Sequence, residues 1–345
     1  MAPPSLLEPE TVGPRLRREA ARWLMALGLG LATLLIAWRG FGAVAGLLQD
    51  GGWRLLLLAG FALPNLALST ASWRLLFPPN LSLGFGRTLH CLWIGFSVNA
   101  LLPVASVGGE AVRVRLLALW DKDLPSAVAS IVVDKTVMVS TLLLSALLGA
   151  VLLVHLDSDG TTILVTMLGS TVLAGGVAAV VWLQRGGAIN ALVRRLAGQG
   201  GDRARRLLGG TAATEAALDA IYARPWRIVG AVTLRFGSRL LVAVELWIAA
   251  QWMGFPIGMV EAIFIYCIGH ALRGAAFAVP AGVGVQEGSY VLSGSLVGLA
   301  PEASLALSLA SRIREIVPSV LGLLAWQVAE GRALLGAGRA GGARG

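Results

Sequence analysis

SAVASIVVDKTVMVSTLLLSALLGAVLLVH, residues 126–155, is an apolar run broken only by the adjacent charges Asp134 and Lys135. A helix needs about 20 mostly apolar residues to cross roughly 30 Å of hydrocarbon. Hydrocarbon offers the backbone no water to bond, so a spanning segment has to close its own hydrogen bonds as a helix. The reading extends outward from this run to others at 23–38, 55–71, 88–107, 161–183, 227–252, 256–279 and 302–327, the last carrying Arg312, Arg314 and Glu315 inside it. The expected fold is an all-α polytopic membrane protein with about eight spanning helices. Two weaker apolar segments, 109–120 and 286–299, are too short or too charged to span and are expected as re-entrant or broken helices.

Composition agrees. Of 345 residues, 56% are apolar and 14% charged, against about 25% charged in soluble domains. Mean hydropathy is +0.76. The net charge of +9 would suggest a nucleic-acid partner in a soluble protein. With aromatic interleaving sparse, it instead predicts basic cytosolic loops and anionic headgroups nearby. The two cysteines, Cys91 and Cys267, lie in apolar runs and lack metal-ligand spacing, so they read as small core residues. Residues 1–19 are polar, and the first apolar run lacks a cleavage site, so it is expected to remain as the first span.

Arginine placement sets the expected topology. Residues 184–226 contain Arg185, Arg194, Arg195, Arg203, Arg205, Arg206 and Arg224, with Arg227 beside them. That makes 184–226 a basic cytosolic linker. The short connections at 156–160 and 253–256 lack Arg and Lys and are expected outside. Arg15, Arg17, Arg18 and Arg22 hold a tail of residues 1–20 in the cytosol, and Arg332, Arg339 and Arg344 do the same for a flexible tail at 331–345. One transmembrane domain, 21–330, lies between them.

An internal repeat organises that domain. Pro103 recurs as Pro280, Glu110 as Glu287 and Lys135 as Arg312, each after 177 residues. The units are about 88–155 and 256–327, and the topology makes them inverted. Inverted repeats place a site at their interface, built with discontinuous helices. Pro103, followed by Gly108 and Gly109, and Pro280, followed by Gly282 and Gly284, supply the expected helix breaks. The half-helices beyond them would aim their amides into a protein-lined cavity, with Glu110 and Glu287 at their N-termini. The plainer reading is that the prolines end helices and the glutamates cap them.

Charges at membrane depth need partners or water. Arg312 and Glu315, three apart, are expected to pair on one helix face. Arg314 needs a carboxylate elsewhere, with Glu287, Glu110 or an anionic headgroup as candidates. Asp134 and Lys135 cannot share a face. Arg113 and Arg115 are placed nearer the interface, where snorkelling costs little. The alternative is a set of structural ion pairs between helices. His90, His155 and His270 form no metal motif, and no phosphate-binding loop, dinucleotide fingerprint or serine elbow occurs, so no cofactor or metal is expected.

The stretches LLPVASVGGEAVRVRLL (101–117), VVDKT (132–136), FAVPAGVGVQEGSYVLSG (277–294) and SLASRIREIVPSVLGLLAWQVAEG (308–331) resemble the transmembrane region of the lysylphosphatidylglycerol synthase superfamily. Within it they are most similar to hopanoid biosynthesis-associated membrane proteins. The resemblance covers nearly all of the chain after the first 20 residues. It implies a bacterial inner-membrane protein with a flippase-like or lipid-transport role, without the soluble aminoacyl-transferase domain. It also implies a membrane lipid as partner, a hopanoid or an anionic phospholipid, alongside hopanoid biosynthesis or export proteins. By that analogy the site gathers Glu110, Arg113, Asp134, Lys135, Gln286, Glu287, Arg312, Arg314 and Glu315. Lys135 departs from the arginine of relatives, which makes bidentate phosphate binding there less favourable. Two other functions fit the pattern. One is an intramembrane enzyme modifying a lipid, with Glu110 or Glu287 as acid or base. The other is a scaffold for a lipid biosynthetic complex.

Overall fold

A computed structural model describes residues 54–102, 108–156, 171, 202–275 and 285–342. Pro103, Pro280, Gly282 and Gly284 lie outside the described residues, as do the expected tail 1–20 and the runs 23–38 and, but for residue 171, 161–183.

The described secondary structure is helical. The run at 55–71 is two helices, α1 (Arg54–Gly60) and α2 (Ala62–Leu75), rather than one span. Pro64 explains the break. It has no N–H to give the carbonyl of residue 60, and its ring crowds that turn. Next come α3 (Phe85–Leu101), α4 (Gly108–Leu119) and α5 (Leu124–His155). Asp123 caps α5 by accepting from the Ser126 amide at 3.1 Å, and Pro125 fits its first turn. Beyond lie α6 (Asp202–Tyr222), α7 (Pro225–Trp252), α8 (Met259–Ala275), α9 (Val285–Leu296) and α10 (Pro301–Gly342). α10 runs on past residue 331, where a flexible tail was expected, and contains Pro318.

Among the described residues one helical stretch, Leu124–Val154 in α5, is both long and apolar enough to cross a membrane by length and composition. α3 ends at Leu101 after 17 residues, and α7, though it has 28, carries Arg227, Arg235, Arg239 and Glu245. α4 and α9 are described over 12 residues each, about 18 Å of helix at 1.5 Å per residue.

Packing follows a crossed pattern. α3, α4 and α5 form one helical unit, and α8, α9 and α10 another. The first helix of each unit packs on the last helix of the other, α3 on α10 and α8 on α5. Two apolar cores result. One gathers Leu92, Leu116, Ala127 and Ile131 of the first unit with Leu323 of α10. The other gathers Phe264, Tyr290, Ala303 and Leu307 of the second unit with Leu153 of α5. The chain of α5 therefore passes from the first core to the second, while α10 passes from the second to the first. α7 lies against α2, α5 and α8, and a smaller core of Leu76, Val133, Ile221 and Ala231 joins it to α6.

Candidate functional site

The ionisable residues of the interior meet across helices, in sets with different access to solvent. Glu110 and Glu287 occupy the first turns of α4 and α9, where the positive helix end favours a carboxylate. Lys135 Nζ of α5 donates to Glu110 at 2.8 Å. Arg312 Nε of α10 donates to Glu287 at 2.6 Å. Each cation lies 25 residues after its glutamate, and the second pair lies 177 residues after the first.

A second rung adjoins each pair. Arg113 Nη1 of α4 donates to Asp134 of α5 at 2.8 Å. The hydroxyls of Tyr290 in α9 and Ser311 in α10 lie 3.1 Å apart in a hydrogen bond. Tyr290 and Ser311 are again 177 positions after Arg113 and Asp134. Tyr290 thus stands where the first unit has Arg113. The structure gives that departure a partner, since both members of the ionic rung change together into a neutral one.

The ionic rung is the most buried part of the site. Asp134 also accepts from Arg235 of α7. Side-chain exposure is 4% for Arg113, 2% for Asp134 and 0% for Arg235, so the trio carries one excess positive charge away from water. Aromatic faces offset part of the desolvation cost. The Arg113 guanidinium lies 3.8 Å from the Trp73 ring centroid and that of Arg235 lies 5.8 Å from Phe96. Arg113 is thus a buried brace rather than an interfacial residue. Arg115 alone of that pair is out at the surface, donating to Glu330 at 3.0 Å.

Two expected partnerships are replaced. Glu315 does not pair with Arg312 on its own helix. It takes a two-pronged bond from Arg273 of α8, at 2.9 and 3.0 Å, because the fork matches a carboxylate held on the facing helix. Arg273 also donates to Gln286 at 3.1 Å. Arg314 pairs with Glu245 of α7, not with Glu287 or Glu110. Glu110 pairs with Lys135 and Glu287 with Arg312, each cation meeting the glutamate of its own unit.

Arg235, Glu245 and Arg273 are the site residues that the sequence reading passed over. Their signal was present, since each is an ionisable residue within the runs 227–252 and 256–279. Asn99 is another. It accepts from the Gly109 amide at 2.8 Å and donates to Glu110 at 3.1 Å. Gly109 is within α4, so its lack of a side chain serves close approach rather than a break. A Cβ there would collide with the Gly95 carbonyl oxygen of α3 and stand 2.7 Å from the Asn99 side chain.

Access divides the charges. Lys135 is 34% exposed, and Arg273 and Glu315 are 32% and 30% exposed. Glu287 is 24% exposed. These pairs can exchange partners with a polar group arriving from outside, whereas the Asp134 trio cannot without unpacking. His270 stacks on Tyr266 with ring centroids 5.6 Å apart, and Cys91 and Cys267 are free and buried. No group of three or more His, Cys, Asp or Glu fit to hold a metal occurs among the described residues.

A family model described as the lysylphosphatidylglycerol synthase TM region matches residues 25–322. No curated protein and no solved structure matches the chain.

Proposed function

The chain belongs to the lysylphosphatidylglycerol synthase TM-region family, and from that premise we propose that this membrane protein moves a polar lipid between leaflets, as a flippase-like translocator. The observation that carries the reading is the recurrence of one polar ladder in two places. Glu110–Lys135 and Glu287–Arg312 join a 12-residue helix to the following long helix at equivalent positions. We read the units as an inverted repeat, supported by the crossed packing and by the opposite order in which α5 and α10 pass through the two cores. Inverted repeats move against each other around a site at their interface.

The chemistry suits an amphipathic cargo. Partly exposed ion pairs within a largely apolar bundle offer a headgroup both a cation for its phosphate and a carboxylate for its hydroxyls or amines. Apolar helix surface flanking the pairs lets the tail remain in hydrocarbon. The cargo is a hopanoid or an anionic phospholipid of a bacterial inner membrane, with both chain termini in the cytosol. Purified protein in sealed vesicles tests this. A leaflet-resolved assay with such lipids should show faster exchange with protein than without, and no acceleration for any of them contradicts the proposal.

A further inference from the structure

A cavity of about 970 Å³ opens away from the ladders, between the α2–α3 connection, the α4–α5 turn and the start of α7. Five cations line it: Arg74, Arg87, Lys122, Arg224 and Arg227. They come from four separate parts of the chain, and no carboxylate lines the cavity with them. Like charges gathered around one space repel unless an anion occupies it. Two of the positions sharpen the point. Arg87 lies in the first turn of α3, and Arg224 and Arg227 are the N-cap and first turn of α7. Helix starts are themselves positive and disfavour cations. The same geometry favours phosphate, which takes both free amides and guanidinium forks.

The surroundings point to a lipid as the source of that phosphate. Trp226, between the two arginines of α7, is 84% exposed. Phe85, Leu124 and Val229 on the adjoining segments are exposed too. Tryptophan beside exposed aliphatic side chains, next to arginine, is the pattern of a membrane–water boundary. Arg74 lies over the Phe85 ring at 5.8 Å from its centroid, a cation set against an apolar edge.

We propose that this cavity binds the phosphate of an anionic phospholipid headgroup in the leaflet beside it. The site is separate from the ladders and does not depend on translocation. It anchors the α2–α3 connection, the α4–α5 turn and the α6–α7 turn to one lipid.

The test uses the full chain in nanodiscs of phosphatidylcholine, with and without phosphatidylglycerol. The readouts are Tm and the phosphatidylglycerol retained per chain after washing. Wild type and the Arg115→Gln control should both show a higher Tm and retained phosphatidylglycerol. The triple variant Arg87→Gln, Lys122→Gln, Arg227→Gln should lose that rise and bind on the order of a hundredfold more weakly. Equal retention by the triple variant and wild type would overturn the assignment. The three positions are at the surface or half-buried. Should the triple variant nevertheless fail to fold, Arg87→Gln alone must lower retention, and unchanged retention overturns the proposal as well. A third arm adds inorganic phosphate to protein in neutral detergent. A Tm rise there as large as that from phosphatidylglycerol would assign the cavity to soluble phosphate and reject the lipid. Binding is read without any transport, so this proposal and the translocation reading fail separately.

Discussion

Asp134 accepts from two guanidiniums at once, and its loss would leave both without a carboxylate in a region sealed from water. Breaking a buried pair in this way costs about 3–5 kcal/mol. Asp134→Asn should therefore reduce thermal stability severely, read as a Tm fall or loss of monodisperse protein. Glu110→Gln should behave differently. Its partner Lys135 is 34% exposed and Glu110 itself 15% exposed, so the stability cost should be smaller than that of Asp134→Asn, while lipid exchange is lost. A large stability loss in Glu110→Gln with exchange retained would reverse the roles assigned here. At this scale the sequence was legible as to which residues carry charge at depth, and much less so as to whom they meet. The Arg312–Glu315 pairing followed from helical spacing, yet a carboxylate facing Arg273 on α8 gained two bonds instead of one. Arg235, Glu245 and Arg273 find partners 101, 69 and 42 residues away, a relation that no local spacing encodes.

The two short helices are unequal partners. α4 is fastened to α5 by an ionic rung that also holds α7, whereas α9 is fastened to α10 at the equivalent rung by two hydroxyls. A neutral hydrogen bond contributes about 1 kcal/mol. Tyr290→Phe should accordingly lower stability by about that amount, far less than Asp134→Asn, as a pair of Tm measurements would show. The approach of α3 to α4 rests on Gly109, where a Cβ would run into the Gly95 carbonyl oxygen and press on Asn99 at 2.7 Å. Gly109→Val should cost roughly 1–3 kcal/mol by overpacking and displace the Asn99 bond to Glu110. Equal stability of Gly109→Val and wild type would show that the helices separate freely. The element boundaries were readable where hydropathy is continuous, as in α5. They were not readable at Pro64, where one apolar run conceals a change of helix, or where arginines interrupt α7.

For the whole molecule, the crossed packing makes the α5–α8 seam a boundary between the units. A Cβ at Gly149 would lie 3.5 Å from the Cβ of Cys267 and 2.7 Å from the tip of Ile268. The first separation suits a disulfide, and the second yields by rotation of a flexible side chain. Gly149→Cys should oxidise to bridge α5 and α8, and lipid exchange should stop until reductant is added. Exchange at one rate in both redox states would mean the seam does not move. Hydropathy made the helical class legible in the sequence. The crossing of α3 on α10 and α5 on α8 was not, because it depends on surfaces that meet only after each unit has folded.

The proposed lipid movement depends on the two partly exposed ion pairs, Glu110–Lys135 and Glu287–Arg312. Charge reversal in the vesicle exchange assay tests it most directly. Glu287→Arg and Arg312→Glu should each abolish acceleration, and the two combined should restore a substantial part of it, with the same result for Glu110→Lys and Lys135→Glu. Wild-type exchange rates in the single reversals, with the proteins folded, would contradict the account.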